Sequence, residues 1–264
     1  MKKGLFIMLI IPQLLWGQSS VEPLLKEGIQ QLQQGFQTWN LDDMMSAKAV
    51  LERATAIEPG NADALYWNGY ADYRLAIRML YTSNEDGHKD KAEEYLDRGI
   101  KTLEEAVKAD PAHSDALALL ATLIGMSIQF NPISGMWKGP KSNGYFDDAL
   151  RANSGNPRVY YLQAVSKMNT PSMFGGGADK ALPLFEKAVQ LFETESGKPI
   201  GAPTHASWGF DECCAFYGNA LASTKDFEKA KKMYEKTLSM NAGHRIAKAG
   251  LKKLESELDP KDQK

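Results

Sequence analysis

Residues 47–59 read AKAVLERATAIEP and residues 99–111 read GIKTLEEAVKADP. In each, a small residue is followed four positions later by a bulky apolar one and three beyond that by a second small residue: Ala47, Leu51 and Ala54, then Gly99, Leu103 and Ala106. Each stretch closes on a proline, Pro59 or Pro111. Ala181, Phe185 and Ala188 repeat the face without the proline, and Ala230 with Tyr234 gives a weaker copy. Residues spaced by three and four share one helical face, and small ones let a neighbouring helix approach closely. Recurrence of that face along a chain predicts an all-α array of stacked helical repeats.

With 264 residues the chain can bury a sizeable core. Its 43% hydrophobic and 24% charged content is that of a globular protein, and its net charge of −2 carries no basic patch of the kind a nucleic-acid binder needs. Nucleic acid is excluded as a partner. At the N-terminus, Lys2 and Lys3 precede an apolar run from Leu5 to Trp16, followed by Gly17. This pattern predicts a signal peptide over 1–17, cleaved after Gly17, and hence a periplasmic or secreted protein. The run is shorter than the about 20 apolar residues of a spanning helix and contains Pro12 and Gln13. No stable membrane insertion is expected after cleavage.

Cys213 and Cys214 are the only cysteines. Adjacent side chains on a helix diverge, which opposes a disulfide between them, so they read as small buried residues. His88, His113, His205 and His244 are scattered and show no paired spacing for a metal. No metal and no cofactor are expected.

The small-bulky-small face followed by a proline resembles the second helix of a tetratricopeptide repeat (TPR), a helix-turn-helix unit of about 34 residues. Gly35 stands twelve positions before Ala47, and Gly218 twelve before Ala230, as that family's spacing asks. The resemblance implies a TPR-like helix-turn-helix solenoid with units near 24–60, 61–112, 113–156, 157–196 and 204–242, and a capping helix over 245–257. Some units are lengthened or interrupted. A polar loop, Thr82 to Gly87, is expected between two long helices of the second unit. Pro132 and Pro140 are expected to break the chain ahead of a short helix, Tyr145–Ala152. Gly175–Gly177 predicts a tight turn into a helix rather than a phosphate loop, Gly197 to Pro203 a further loop, and Trp208 the start of the next helix. Asn156-Pro157-Arg158, Gly175–Gly177 and Trp208-Gly209 are also similar to exported bacterial TPR proteins whose function is largely unassigned.

The resemblance implies that partners are held on the concave face lined by the first helix of each unit. That register places Tyr66, Tyr70 and Arg74 there, with Tyr73 close by, and Asn219 in the last unit; tyrosine offers apolar area with a hydroxyl. Ala118, Thr122 and Met126 occupy the corresponding places in the third unit. The alternative for the tyrosines is packing against the helix around Tyr95. Leu32 and Phe36 stand where the carboxylate-clamp subclass has Lys and Asn, so a clamp is excluded. Enzyme motifs are missing, and Asp42-Asp43 and Asp147-Asp148 read as first-turn residues of helices. The expected function is therefore a non-catalytic protein or peptide interaction module. The alternative is a small-molecule or transport-accessory role, with Trp137, Phe174 and Trp208 lining a pocket walled by the inserted loops.

Overall fold

The computed structural model describes residues 21–82, 87–196 and 206–258. The leader over 1–17, the loop from Gly197 to Pro203 and His205 lie outside them. Among the described residues there are eleven α-helices and no strand: α1 Val21–Thr38, α2 Leu41–Ile57, α3 Ala62–Leu80, α4 His88–Ala109, α5 Ser114–Ser127, α6 Gly135–Ala152, α7 Pro157–Asn169, α8 Ala178–Ser196, α9 Phe210–Ser223, α10 Phe227–Met240 and α11 Arg245–Leu258. The fold is a TPR-like α-solenoid.

Helix starts follow capping chemistry. Asn40, Asn61, Asn156 and Asp226 accept backbone N–H groups of the first turns of α2, α3, α7 and α10, satisfying donors the helix itself leaves open. His113 and His244 do the same work through Nδ1 for Ala116 and Ala247. Asp42 and Asp43 lie in the first turn of α2, where carboxylates complement the helix dipole.

The small residues sit at the crossings. A Cβ built on Gly28 would lie 2.8 Å from Leu51, and on Gly69 2.7 Å from Leu103. One on Gly99 would lie 2.6 Å from Leu123 and 3.1 Å from Asp72. Gly28 facing Leu51 while Gly35 faces Met44 fixes α1 and α2 as antiparallel. Ser142 donating to the Ala121 carbonyl and Ser114 to that of Ala149 do the same for α5 and α6.

Two sequence expectations fail in α6. The helix starts at Gly135, not Tyr145, and runs through Pro140. Pro132 only opens the preceding 3-10 turn, Pro132–Ser134, a position that requires no N–H. Pro140 lies in the second turn with its ring exposed, so the hydrogen bond it removes is near the helix end and open to water. As a result Asp147 and Asp148 fall in the last turns of α6 rather than at a helix start, and Asp148 pairs with Arg151. Trp208 likewise precedes its helix, which starts at Phe210 behind Gly209 at φ 100°. The glycine turn is as expected: Gly175 and Gly177 have φ 77° and 117°, and a Cβ on Gly176 would collide with the Thr170 carbonyl.

Each odd-numbered helix packs closely on the next odd-numbered one, whereas successive even-numbered helices stand farther apart and meet through long side chains, as where Lys141 of α6 pairs with Glu104 of α4 and Lys236 of α10 with Glu193 of α8. Crowding on one side and splaying on the other curve the array, with α1, α3, α5, α7, α9 and α11 inside. The curve closes on itself. The Arg245 guanidinium, at the start of α11, lies 4.6 Å from the ring centroid of Trp39 in the α1–α2 turn. Trp39 has φ 58°, rare for a bulky residue, and its carbonyl accepts a 3.1 Å hydrogen bond from Arg78 Nε of α3.

α11 packs on α9 and α10 and buries Ala247 and Leu254. The ring of Tyr234 is held between Gly218 of α9 and Gly250 of α11: a Cβ on Gly218 would lie 2.5 Å from its Cε1, and one on Gly250 closer still to Cζ. Contact on both faces leaves the ring no direction of retreat. Gly218→Ala and Gly250→Ala should each destabilise by about 1–3 kcal/mol through overpacking. Gly144, exposed inside α6 with nothing within 4 Å of a Cβ, should respond oppositely, with Gly144→Ala stabilising by about 1 kcal/mol. Urea unfolding of the three variants checks both signs.

Candidate interaction surfaces

Tyr66, Tyr70, Tyr73 and Arg74 lie on α3, on the inner side of the curve, and all four are buried. They do not line an open groove, because the inside of the curve is too tight and the segment ahead of α9 closes it. Trp208 Nε1 donates to Tyr66 Oη at 2.8 Å, and its ring lies 4.7 Å from that of Tyr70. Arg74 makes a two-pronged pair with Glu212 of α9, both N–O distances 2.6 Å. Its Nε donates to Tyr70 Oη at 2.7 Å, and its guanidinium stacks 4.0 Å from the Phe36 ring. Burial alone would lower the Arg74 pKa, but Glu212 and the tyrosine hydroxyls hold it well above its ordinary value. Burial also drives the Tyr66, Tyr70 and Tyr73 hydroxyls upward, so the stripe stays neutral. This is an anchored interior, with the stripe packed on Trp208.

Two further buried clusters hold the inner helices. Arg158 donates to Asp115 at 2.8 Å and pairs with Glu195, so its charge at the start of α7 is matched within the chain, from α5 and α8. Lys48 and Arg98 both bind the fully buried Asp72, each at 2.6 Å. Burial lowers the Lys48 pKa against the opposing pull of Asp72.

Asn219 is used internally, its Oδ1 accepting from the Tyr234 hydroxyl at 2.7 Å. Trp137, Phe174 and Trp208 do not converge on a pocket: Trp137 is exposed at the start of α6 and Phe174 on the turn after α7, while Trp208 is buried against α3. Cys213 and Cys214 are buried free thiols. Burial raises both pKa values, that of Cys214 to about 12. Among the described residues no group of three or more His, Cys, Asp or Glu could hold a metal, and no helix is long and apolar enough to cross a membrane.

Open concave space lies instead on the outer side, where successive even-numbered helices splay apart. One cleft of about 450 Å³ is lined by Val107, Pro111, Ala112, Leu117, Tyr145 and Arg151, among others. A second, of about 280 Å³, is lined by Thr55, Pro59, Leu65, Asn68, Thr102 and Glu105, among others. Pro59 and Pro111, and Leu65 and Leu117, take equivalent places in successive units, so the clefts are one feature repeated. Sequence reasoning missed both, and missed Glu212 and Asp72. A lone carboxylate in an apolar helical face, as at Asp72, was the available signal for a buried ion pair.

The comparisons agree with this architecture. A family model described as a tetratricopeptide repeat matches residues 211–244, the unit of α9 and α10, whose spacing carries no insertion. No protein of curated function matches the chain in sequence. Among solved structures, the HusA haemophore from Porphyromonas gingivalis superposes with a TM-score of 0.64 at 23% identity, over 79% of this chain and 96% of that one. TTC0263, a TPR protein of Thermus thermophilus, gives a TM-score of 0.61 at 16% identity, over 90% and 99%. Human IFIT1 gives 0.59 at 21% identity, covering 92% of this chain and 47% of IFIT1. At these identities the likeness is one of fold. The chain carries a TPR unit within a TPR-like solenoid, a fold used generally as an interaction scaffold.

Two outcomes follow. Glu212→Ala leaves Arg74 charged and buried, and should cost about 3–5 kcal/mol, against about 1–3 kcal/mol for Trp208→Phe, which leaves the buried Tyr66 hydroxyl without its donor; chemical denaturation ranks the two. In the native protein neither cysteine should react with a soluble disulfide reagent at pH 8, and both should react in denaturant, because the thiolate is the attacking form.

Proposed function

We propose that this chain is an exported, non-catalytic module of the periplasm that holds a protein or peptide partner on its outer face. The repeated cleft supports this reading most directly. Two hollows in equivalent register, floored by apolar Leu65 and Leu117 and rimmed by charged Glu105 and Arg151, suit successive side chains of one bound segment. An apolar centre with a polar rim is the anatomy of an interaction site. The inner stripe, covered by Trp208 and Glu212, serves this reading as the rigid support of the curve. Export rests on the N-terminal pattern of Lys2, Lys3 and the run to Gly17.

A photo-crosslinking residue at Ala112, introduced in the native host, should give one dominant protein adduct, and the same residue at exposed Lys231 of α10 none. Ala112→Arg, which crowds the larger cleft from an exposed position, should weaken that partner at least tenfold without lowering the melting temperature. Equal adducts at both positions, or unchanged affinity of the Ala112→Arg protein, would remove the assignment.

A second reading is favoured by the size of the larger cleft, which falls within the range of small-ligand sites, about 300–1,000 Å³. One protein of this fold, HusA, is named a haemophore, so the fold is compatible with a small cargo. Titration with hemin discriminates between the readings: a saturable shift of its absorption band that Ala112→Arg abolishes would put the small-ligand role first.

A further inference from the structure

Five large apolar side chains stand exposed at two neighbouring turns and at the start of α6, which follows the first of them. Ile133, Met136 and Trp137 follow α5 and are 72%, 81% and 58% exposed; Met173 and Phe174 follow α7 and are 81% and 70% exposed. The turns belong to one edge. α5 and α7 are both inner helices and contact each other, and a Cβ on Gly125, near the end of α5, would face Ser142 of α6 at 3.5 Å and Ser166 of α7 at 4.0 Å. Both turns therefore leave the array side by side. Contiguous exposed apolar area of this kind marks a contact surface rather than ordinary scatter.

The charge at this edge is positive on balance. From Ala116 to Ala178 the only carboxylates are Asp147 and Asp148, and they lie near the far end of α6, about 15 Å along its axis from Trp137. Lys138, Lys141 and Lys167 are the basic residues beside the turns. Lys138 donates to Ser127 Oγ at 2.8 Å, and Lys141 meets Glu104 of α4 at 3.0 Å. Asp179, beyond the second turn, lies 3.8 Å from Lys180. The rim is thus neutral to positive and nowhere negative in excess.

We propose that this edge docks the protein on the surface of an anionic lipid bilayer, with Trp137 and Phe174 entering the interfacial layer and the neighbouring lysines giving the edge its positive charge. The apolar groups protrude from two turns and a helix start, and a lipid surface demands no shape complementarity of them. Aromatic side chains with neighbouring lysines are the usual chemistry of such contacts. A second copy of the chain is the poorer occupant, because a two-fold contact through this edge would bring the net positive charge of both copies together. The inference is independent of the cleft-bound partner.

The test uses the chain from Gln18 on, which contains every described helix and lacks the apolar N-terminal run, with vesicles of phosphatidylcholine alone or carrying about one-third phosphatidylglycerol. Co-sedimentation should be strong with the anionic vesicles, weak with the neutral ones, and reduced by added salt. Trp137→Ala with Phe174→Ala should weaken it at least tenfold, and Lys138→Glu with Lys167→Glu should abolish the preference for anionic lipid, with unchanged circular dichroism in both double variants. Absence of binding to either vesicle overturns the proposal. So does self-association in sedimentation velocity that disappears in Trp137→Ala, which would assign the edge to a second copy.

Discussion

The ion pair between Arg74 and Glu212 joins the second helical pair to the fifth across the inside of the curve. A guanidinium in that position has no route to water, and its charge is tolerable only because a carboxylate meets both prongs. Glu212 is suited to the task by place as well as by type, since it lies in the first turn of α9, where the helix dipole already favours a negative charge. Around the pair, Phe36, Tyr70 and Trp208 supply ring faces and edges. The radius of the solenoid is therefore set by a polar lock inside an aromatic shell, not by apolar contact alone.

The local part of this design was legible. Small-bulky-small spacing is a statement about one helical face, and Gly69 against Leu103 or Gly218 against Tyr234 shows that face in use. The tyrosines lie on α3, the first helix of the second pair. Their surroundings were not legible, because whether an inner face is a groove or an interior depends on how tightly the array winds. That in turn rests on contacts such as Trp208 to Tyr66, made between residues 142 positions apart. The misreading of α6 has a different origin. The rule that proline ends a helix assumes an interior position, whereas Pro140 faces solvent near a helix start, where the missing donor is cheaply replaced by water.

Filling the inside of the curve moves recognition outward. Where the inner helices crowd together the outer ones diverge, and two successive steps of the array open a hollow beside the turns that carry Pro59 and Pro111. Curvature and clefts are consequences of one geometry. The three buried charge clusters, on Arg74, Arg158 and Asp72, contribute rigidity to the same arrangement by fixing neighbouring helices with directional bonds.

The contact of Arg245 on Trp39 changes what kind of repeat protein this is. In an open array, units can be gained or lost during evolution because each needs only its neighbours. Here the last helix rests on the first turn, so an added or deleted unit would displace one end from the other. The number of units is consequently not free to drift, and added length is taken up within units, as in the long helices α3 and α4.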